Sequence, residues 1–204
     1  MSERVVVCVD FKNPHALLAV APTRELEARL ATHFDWRPLD LAPLSRPRPI
    51  GVGDDRSARH RSIRAAYVAR DLERYARARA LELRDLYRSP DVTRASLGLL
   101  WLRREAPQLA GDYVARVFEL LWQRDADVAG AAVVESALGR DPSAFRAWAA
   151  KEGALELAAN QRELVEAGAW NVPAYLLHGE VFIGRQHLPM LEWLLTGQTG
   201  APPI

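Results

Sequence analysis

A chain of 204 residues, 49% hydrophobic and 26% charged, can bury a substantial core as one domain or one domain with an insertion. Its apolar runs are too short to cross a bilayer, and residues 1–4 followed by a five-residue apolar stretch lack the h-region and cleavage site of a signal peptide, so a cytoplasmic chain with no membrane partner is expected. The single cysteine, Cys8, excludes an internal disulfide and a C-x-x-C pair, and its place among valines predicts inert packing. The net charge of +1 hides an asymmetry: residues 46–104 hold 15 arginines against seven acidic side chains, and Lys12 and Lys151 are the chain's two lysines.

Residues 5–10 form a β-branched run bounded by turn chemistry and predict a buried strand. Asn13-Pro14 then supplies an N-cap followed by proline at the first helical position, where its missing N–H costs nothing. The helix continues through Leu17, Val20, Leu26 and Leu30, with Pro22 expected to kink it or limit its first turns. Residues 34–41 alternate and carry Pro38, which suggests an edge strand. The Pro-, Gly- and Arg-rich residues 43–53 read as a loop.

From about residue 57 to 166 the period is helical. One helix begins with Ile63, Tyr67, Leu72 and Tyr75. Asp91 is the expected cap of a second, Asp112 of a third, and Asp141-Pro142 repeats the cap-plus-proline signature before Phe145 and Trp148. A further helix covers residues 155–167. Residues 174–177 and 181–183 then flank His178-Gly179-Glu180 as a compact hairpin, and a last helix takes Leu188 and Leu191. Trp101, Trp122, Trp148 and Trp193 fall on apolar stripes, as core or dimer contacts. The order is β-α-β, a helical insert, then β-β-α, an α/β fold class. The boundaries drawn are residues 1–53 and 165–204 for the strand-bearing domain and 54–164 for the inserted helical domain.

Two motifs carry a resemblance. Asp10-Phe11-Lys12-Asn13-Pro14-His15-Ala16-Leu17-Leu18-Ala19 matches an Asp-Phe-x-Ser-Pro-Tyr type opening. The segment from Asn171-Val172-Pro173-Ala174-Tyr175 to Gly184-Arg185-Gln186-His187-Leu188 matches a Gly-Val-Pro to Gly-x-Asp-Arg-Leu pattern, with Arg64, Tyr67, Asp71 and Leu72 adding a looser match between them. The chain resembles the DsbA-like branch of the thioredoxin superfamily, and within it the kappa-class glutathione transferases and 2-hydroxychromene-2-carboxylate isomerases. The resemblance implies a thioredoxin-like core, a homodimer, and glutathione bound at the start of the first helix for conjugation or isomerisation of a small electrophilic or aromatic-derived substrate.

It also implies site residues. Asn13 stands where the family's serine meets the glutathione sulfur; its amide can donate to a thiolate, while asparagine is equally a good N-cap. With Pro14 it opens a helix whose first N–H groups favour a negative sulfur. His15, in place of tyrosine, is a candidate proton donor or acceptor. Val172, before a Pro173 expected to be cis, would offer its backbone N–H and C=O to the cofactor's cysteinyl unit. Arg64 can pair with the glycyl carboxylate. Gln186 and His187 replace Asp-Arg, so the γ-glutamyl ammonium loses its counter-charge and glutathione binding weakens. A catalytically degenerate binding or scaffold protein is the alternative, and a dithiol oxidoreductase a distant third. No metal-ligand spacing is present. The arginine-rich stretch interleaves with acids, such as Asp71 with Arg74, and reads as a solvated rim that attracts an anionic substrate, with no nucleic-acid partner.

Overall fold

The valine run forms β1 (Val6–Val9), and Val7, Cys8 and Val9 are buried, because the sheet is covered on both faces. A computed structural model describes residues 4–203; residues 1–3 and Ile204, at the ends of the boundaries drawn above, lie outside it. Helix α1 (Pro14–Arg29) returns the chain to β2 (Asp35–Pro38), which pairs parallel with β1. After the helical segment, β3 (Ala174–Leu177) pairs antiparallel with β1, and β4 (Glu180–Ile183) with β3, giving the order β2-β1-β3-β4. The expected β-α-β and β-β-α halves are thus joined in one four-stranded sheet, with β2 at its edge. His178 and Gly179 both take positive φ, 54° and 77°, as a two-residue hairpin turn requires.

Pro22 does not end α1: the helix runs unbroken for 16 residues. The lost backbone bond is offset by burial, since Leu17, Leu18, Val20 and Leu26 are all enclosed. Helix α2 (Arg56–Ala78), capped by the Asp55 carboxylate at the Ala58 N–H (2.6 Å), lies over α1. Its packing stripe is not the expected one. Ile63, Tyr67 and Tyr75 are exposed, and the buried positions are Ala58, Ser62, Leu72 and Ala76. Leu72 and Ala76 meet Leu18 and Leu86 in a small cluster of their own. Small side chains over most of α2 hold little apolar area against α1, so its first half stands off and leaves a cavity.

Helices α3 (Thr93–Glu105), α4 (Ala110–Phe118), α5 (Ala131–Ala137), α6 (Ser143–Trp148) and α7 (Ala154–Glu166) share the main core with the sheet. Their starts correct the expected caps. Asp91 accepts from the Thr93 N–H (2.8 Å) from outside a Val92 cap, Asp112 sits inside the first turn of α4 and pairs with Arg24, and Pro142 is itself the cap of α6. A π turn at Glu119–Gln123 continues α4, and another at Ala149–Gly153 joins α6 to α7. Trp101, Trp122 and Trp148 are buried, whereas Trp193 on α8 (Leu188–Leu195) is half-buried and donates to the Gly200 carbonyl (3.3 Å). Among the described residues no helix is long and apolar enough to cross a membrane.

One buried charge locks α1 to the edge strand. The Glu27 carboxylate, 3% exposed, accepts from the Phe34 N–H (2.7 Å), the Trp36 indole N–H (3.1 Å) and Arg24 (2.8 Å). Removing it strands two buried donors, while Arg24 keeps Asp112, so Glu27→Ala is expected to cost about 3 kcal/mol. Glu27→Gln, which keeps an acceptor for both N–H groups, costs less. Urea unfolding followed by tryptophan fluorescence measures both.

Candidate functional site

The β1–α1 turn presents the first residues of α1 at the end of a buried strand, and every element of it is tied down. The Asp10 carboxylate accepts from the Lys12 N–H (3.1 Å) and the Leu41 N–H (3.1 Å) and pairs with the Lys12 ammonium (3.0 Å), which also reaches Asp40. The Asn13 N–H donates to the Asp10 carbonyl (2.9 Å), and the Trp122 indole donates to the Phe11 carbonyl (2.9 Å) from the π turn after α4. Burial pushes the Asp10 carboxyl up, and Lys12 only partly offsets it. Burial also works against the Lys12 ammonium, but hydrogen bonds and charge from Asp40 and Asp10 outweigh it and hold its pKa up.

Asn13 is a genuine cap: its Oδ1 accepts from the His15 N–H at 2.9 Å. Its Nδ2 has no protein partner among the described residues and keeps two donors for a ligand. Pro14 is buried at the first helical position. His15 follows it and lines two adjoining chambers. The first, about 560 Å³, lies under α2 between Leu44, Arg46, Arg48, Arg61, Arg64, Val68, Tyr87 and Asn171. The second, about 530 Å³, is bounded by Asp71, Tyr75, Arg79, Arg185, Gln186 and Leu188. The volumes suit a small organic ligand.

Of the residues expected at the site, His15 and Arg64 line the first chamber and His15 and Gln186 the second, while Asn13 and Pro14 directly precede His15 and line neither. Val172 and Pro173, both buried and joined by a cis peptide bond, follow Asn171 at the border of the first chamber. The Val172 N–H is not free: it donates to Asn171 Oδ1 at 2.9 Å. His187 is not brought in. Within the 3₁₀ turn Arg185–His187 its ring turns back on Phe182, edge-on at 5.8 Å, while its neighbours Arg185 and Gln186 line the chamber. Gln186 folds over Gly184 and donates to the Ile183 carbonyl (2.8 Å), a close approach that Gly184, at φ 102° and without a Cβ, permits.

Sequence reasoning missed Asn171, Arg61 and Arg185 as lining residues. Arg61 stands one turn before Arg64 on α2, and Arg185 directly follows the motif glycine; those spacings were the available signals. A third cavity, about 660 Å³, is walled by Leu41, Pro43, Val92, Leu97 and Leu157 together with Lys12, Asp40 and Asp91, and it shares no lining residue with the two chambers around His15. Cys8 is fully buried between Arg37 and Ala174 in the sheet register, and burial pushes its thiol up to about 12, so it carries no thiolate near neutral pH.

His15 is held below its ordinary value of 6.5 by burial and then by the Arg185 charge, with Asp71 opposing. Its neutral form is therefore the native one at pH 7. A depressed histidine pKa means that the unfolded chain binds the proton more readily, so this group's contribution to stability rises as pH climbs from its folded value to 6.5, and its penalty is complete below that window. NMR titration is expected to place the His15 midpoint below 6.5, and His15→Gln to flatten the pH 5–7 dependence of unfolding free energy relative to the native chain.

Residues 4–196 match the family model described as the DSBA-like thioredoxin domain. No curated protein matches the chain. Among solved structures, a 2-hydroxychromene-2-carboxylate isomerase superposes with a TM-score of 0.71 at 23% identity, over 95% of each chain. A probable DsbA oxidoreductase from Streptomyces coelicolor gives 0.66 at 17% identity, over 98% of this chain and 93% of that one. The cytosolic disulfide reductase DsbM from Pseudomonas aeruginosa, solved with GSH, gives 0.58 at 18% identity, over 96% and 98%. With its four-stranded sheet, buried α1 and motif-bearing ends, this chain belongs to the DSBA-like thioredoxin domain family.

Proposed function

We propose that the protein is a thiol-cofactor enzyme that binds glutathione or a related thiol at the start of α1 and uses its sulfur on a conjugated electrophile. The observation that carries this reading is that His15, in the first turn of α1, and Asn171, just before the cis Val172-Pro173 bond, line one cavity in a chain whose own cysteine is buried and protonated. The sulfur must then arrive with the ligand. The dipole of α1 and the Asn13 amide stabilise it as a thiolate, and Leu44, Ala65, Val68 and Ala69 form an apolar wall for the electrophile. In an isomerisation the thiolate adds to the carbon β to a carbonyl, and the π pair moves to the carbonyl oxygen. The former double bond rotates, and elimination restores both the alkene and the thiolate. Neutral His15 is placed to accept and return a proton. In a conjugation the same adduct is instead protonated and released.

A second reading, a binding protein that keeps the fold without catalysis, is favoured by two bonds. The Asn13 oxygen is committed to its cap and the Val172 N–H to Asn171. The two readings separate by calorimetric titration of reduced glutathione and turnover of a model enone. The enzyme reading expects binding by the native chain, and turnover raised at least tenfold by Asn13→Ser, since serine both caps and donates. No binding by either protein would defeat it. Asn171→Ala removes a competing hydrogen bond worth about 1 kcal/mol and is expected to tighten glutathione about fivefold; unchanged affinity would show that the Val172 N–H takes no part.

A further inference from the structure

The chambers around His15 carry more positive charge than a glutathione carboxylate requires. Six arginines line them, and three have acidic partners: Arg46 with Asp85, Arg48 with Asp54, and Arg79 with Glu25. Arg61, Arg64 and Arg185 make no ion pair among the described residues, although the Arg61 charge helps Arg48 hold the Asp54 carboxyl low; Arg185 instead rests on the Tyr75 ring at 4.0 Å. The one carboxylate lining either chamber, Asp71, is taken by Arg74 at 2.6 Å. Gln186 leaves an incoming ammonium without a counter-charge, and the surrounding guanidiniums repel it.

We propose that this cavity selects a polyanion bearing phosphate and no free ammonium, its phosphates held by Arg61, Arg64 and Arg185. That the polyanion is also a thiol rests on the function proposed above; the charge selection does not. A phosphate monoester carries about −1.5 to −2 at neutral pH, so two phosphates neutralise three guanidiniums where three separate carboxylates would otherwise be needed. The planar guanidinium fork meets phosphate oxygens in pairs, and a concave wall concentrates the field of charges left unpaired. The neutral state of His15 fits the same field, since Arg185 is among the causes that disfavour its proton.

The test is calorimetry on the intact protein with three probes: coenzyme A as a phosphorylated thiol, reduced glutathione, and adenosine 3′,5′-bisphosphate as a phosphorylated ligand without sulfur. Coenzyme A is expected to bind at least tenfold tighter than glutathione at low salt, with the advantage shrinking as salt is added. Arg61→Ala and Arg185→Ala, both changes of side chains outside the core, should each weaken coenzyme A five- to tenfold and glutathione less than twofold. Glutathione binding as tightly as coenzyme A, no binding of any phosphorylated probe, or arginine variants that leave coenzyme A unchanged would overturn the proposal. The bisphosphate tells the two ideas apart. Binding as tight as that of coenzyme A would sustain the phosphate site and defeat the thiol reading, and much weaker binding would sustain both.

Discussion

The Asp10 carboxylate is the constraint on which the site depends. It closes the β1–α1 turn, ties the exit of β2 through the Leu41 N–H, and holds the Lys12 ammonium against the sheet's end. A buried ion pair of this kind contributes little net stability, because desolvation of both charges consumes most of the attraction. The upward displacement of the Asp10 carboxyl expresses that cost. What the pair secures is geometry. With Asp10, Asn13 and Trp122 each satisfying a backbone group of the turn, the start of α1 has one fixed direction relative to the sheet.

The remaining helices divide two tasks. On one side, α3 and α7 cover the edge strand: Arg103 grips Asp35 (2.5 and 2.9 Å), and Arg37 reaches Asn160 (2.8 Å) and both oxygens of Glu163 (2.8 and 2.6 Å). The Asn160 amide and Gln161 bond the backbone of Pro38 and Asp40, so the unpaired rim of β2 is occupied by side chains. On the other side α2 meets α1 in its C-terminal half, through Leu72 and Ala76 clustered with Leu18. The first side is cross-linked to the edge strand around its own cavity, whereas the second leaves the space that contains His15.

Element order was legible because it is written in period and punctuation: the valine run, Asn13-Pro14, the helical span and the His178-Gly179 hairpin each follow from local chemistry. What escaped was set by tertiary geometry. The stripe of α2 was misread because Ile63 and Tyr67 look like core residues, yet of the expected positions only Leu72 is buried, beside Ala58, Ser62 and Ala76. The two π turns leave no pattern, since one inserted residue per turn is paid for by packing around Trp122 and Trp148. Within the site, Asn13 and His15 were readable from motif position. The rotation of His187 towards Phe182 depends on the 3₁₀ turn, and the Asn171 bond to the next N–H depends on the backbone angles before Pro173. Neither is encoded in spacing.

The loss of the family serine looks, from sequence, like the loss of chemistry, but the charge around His15 argues differently. A positive field acts on both titrating partners of a thiol reaction in a useful direction: it favours the thiolate and disfavours the histidine proton. One hydrogen bond from a serine to a charged sulfur contributes about 1.5–3 kcal/mol. On the proposed reading, Arg61, Arg64 and Arg185, which line the two chambers without an ion pair among the described residues, add a positive potential to whatever residue 13 donates. On that reading, activation of the sulfur is therefore shared: residue 13 supplies a hydrogen bond and keeps the helix end in place, and the field that α2 and the turn before α8 project onto the start of α1 adds to it.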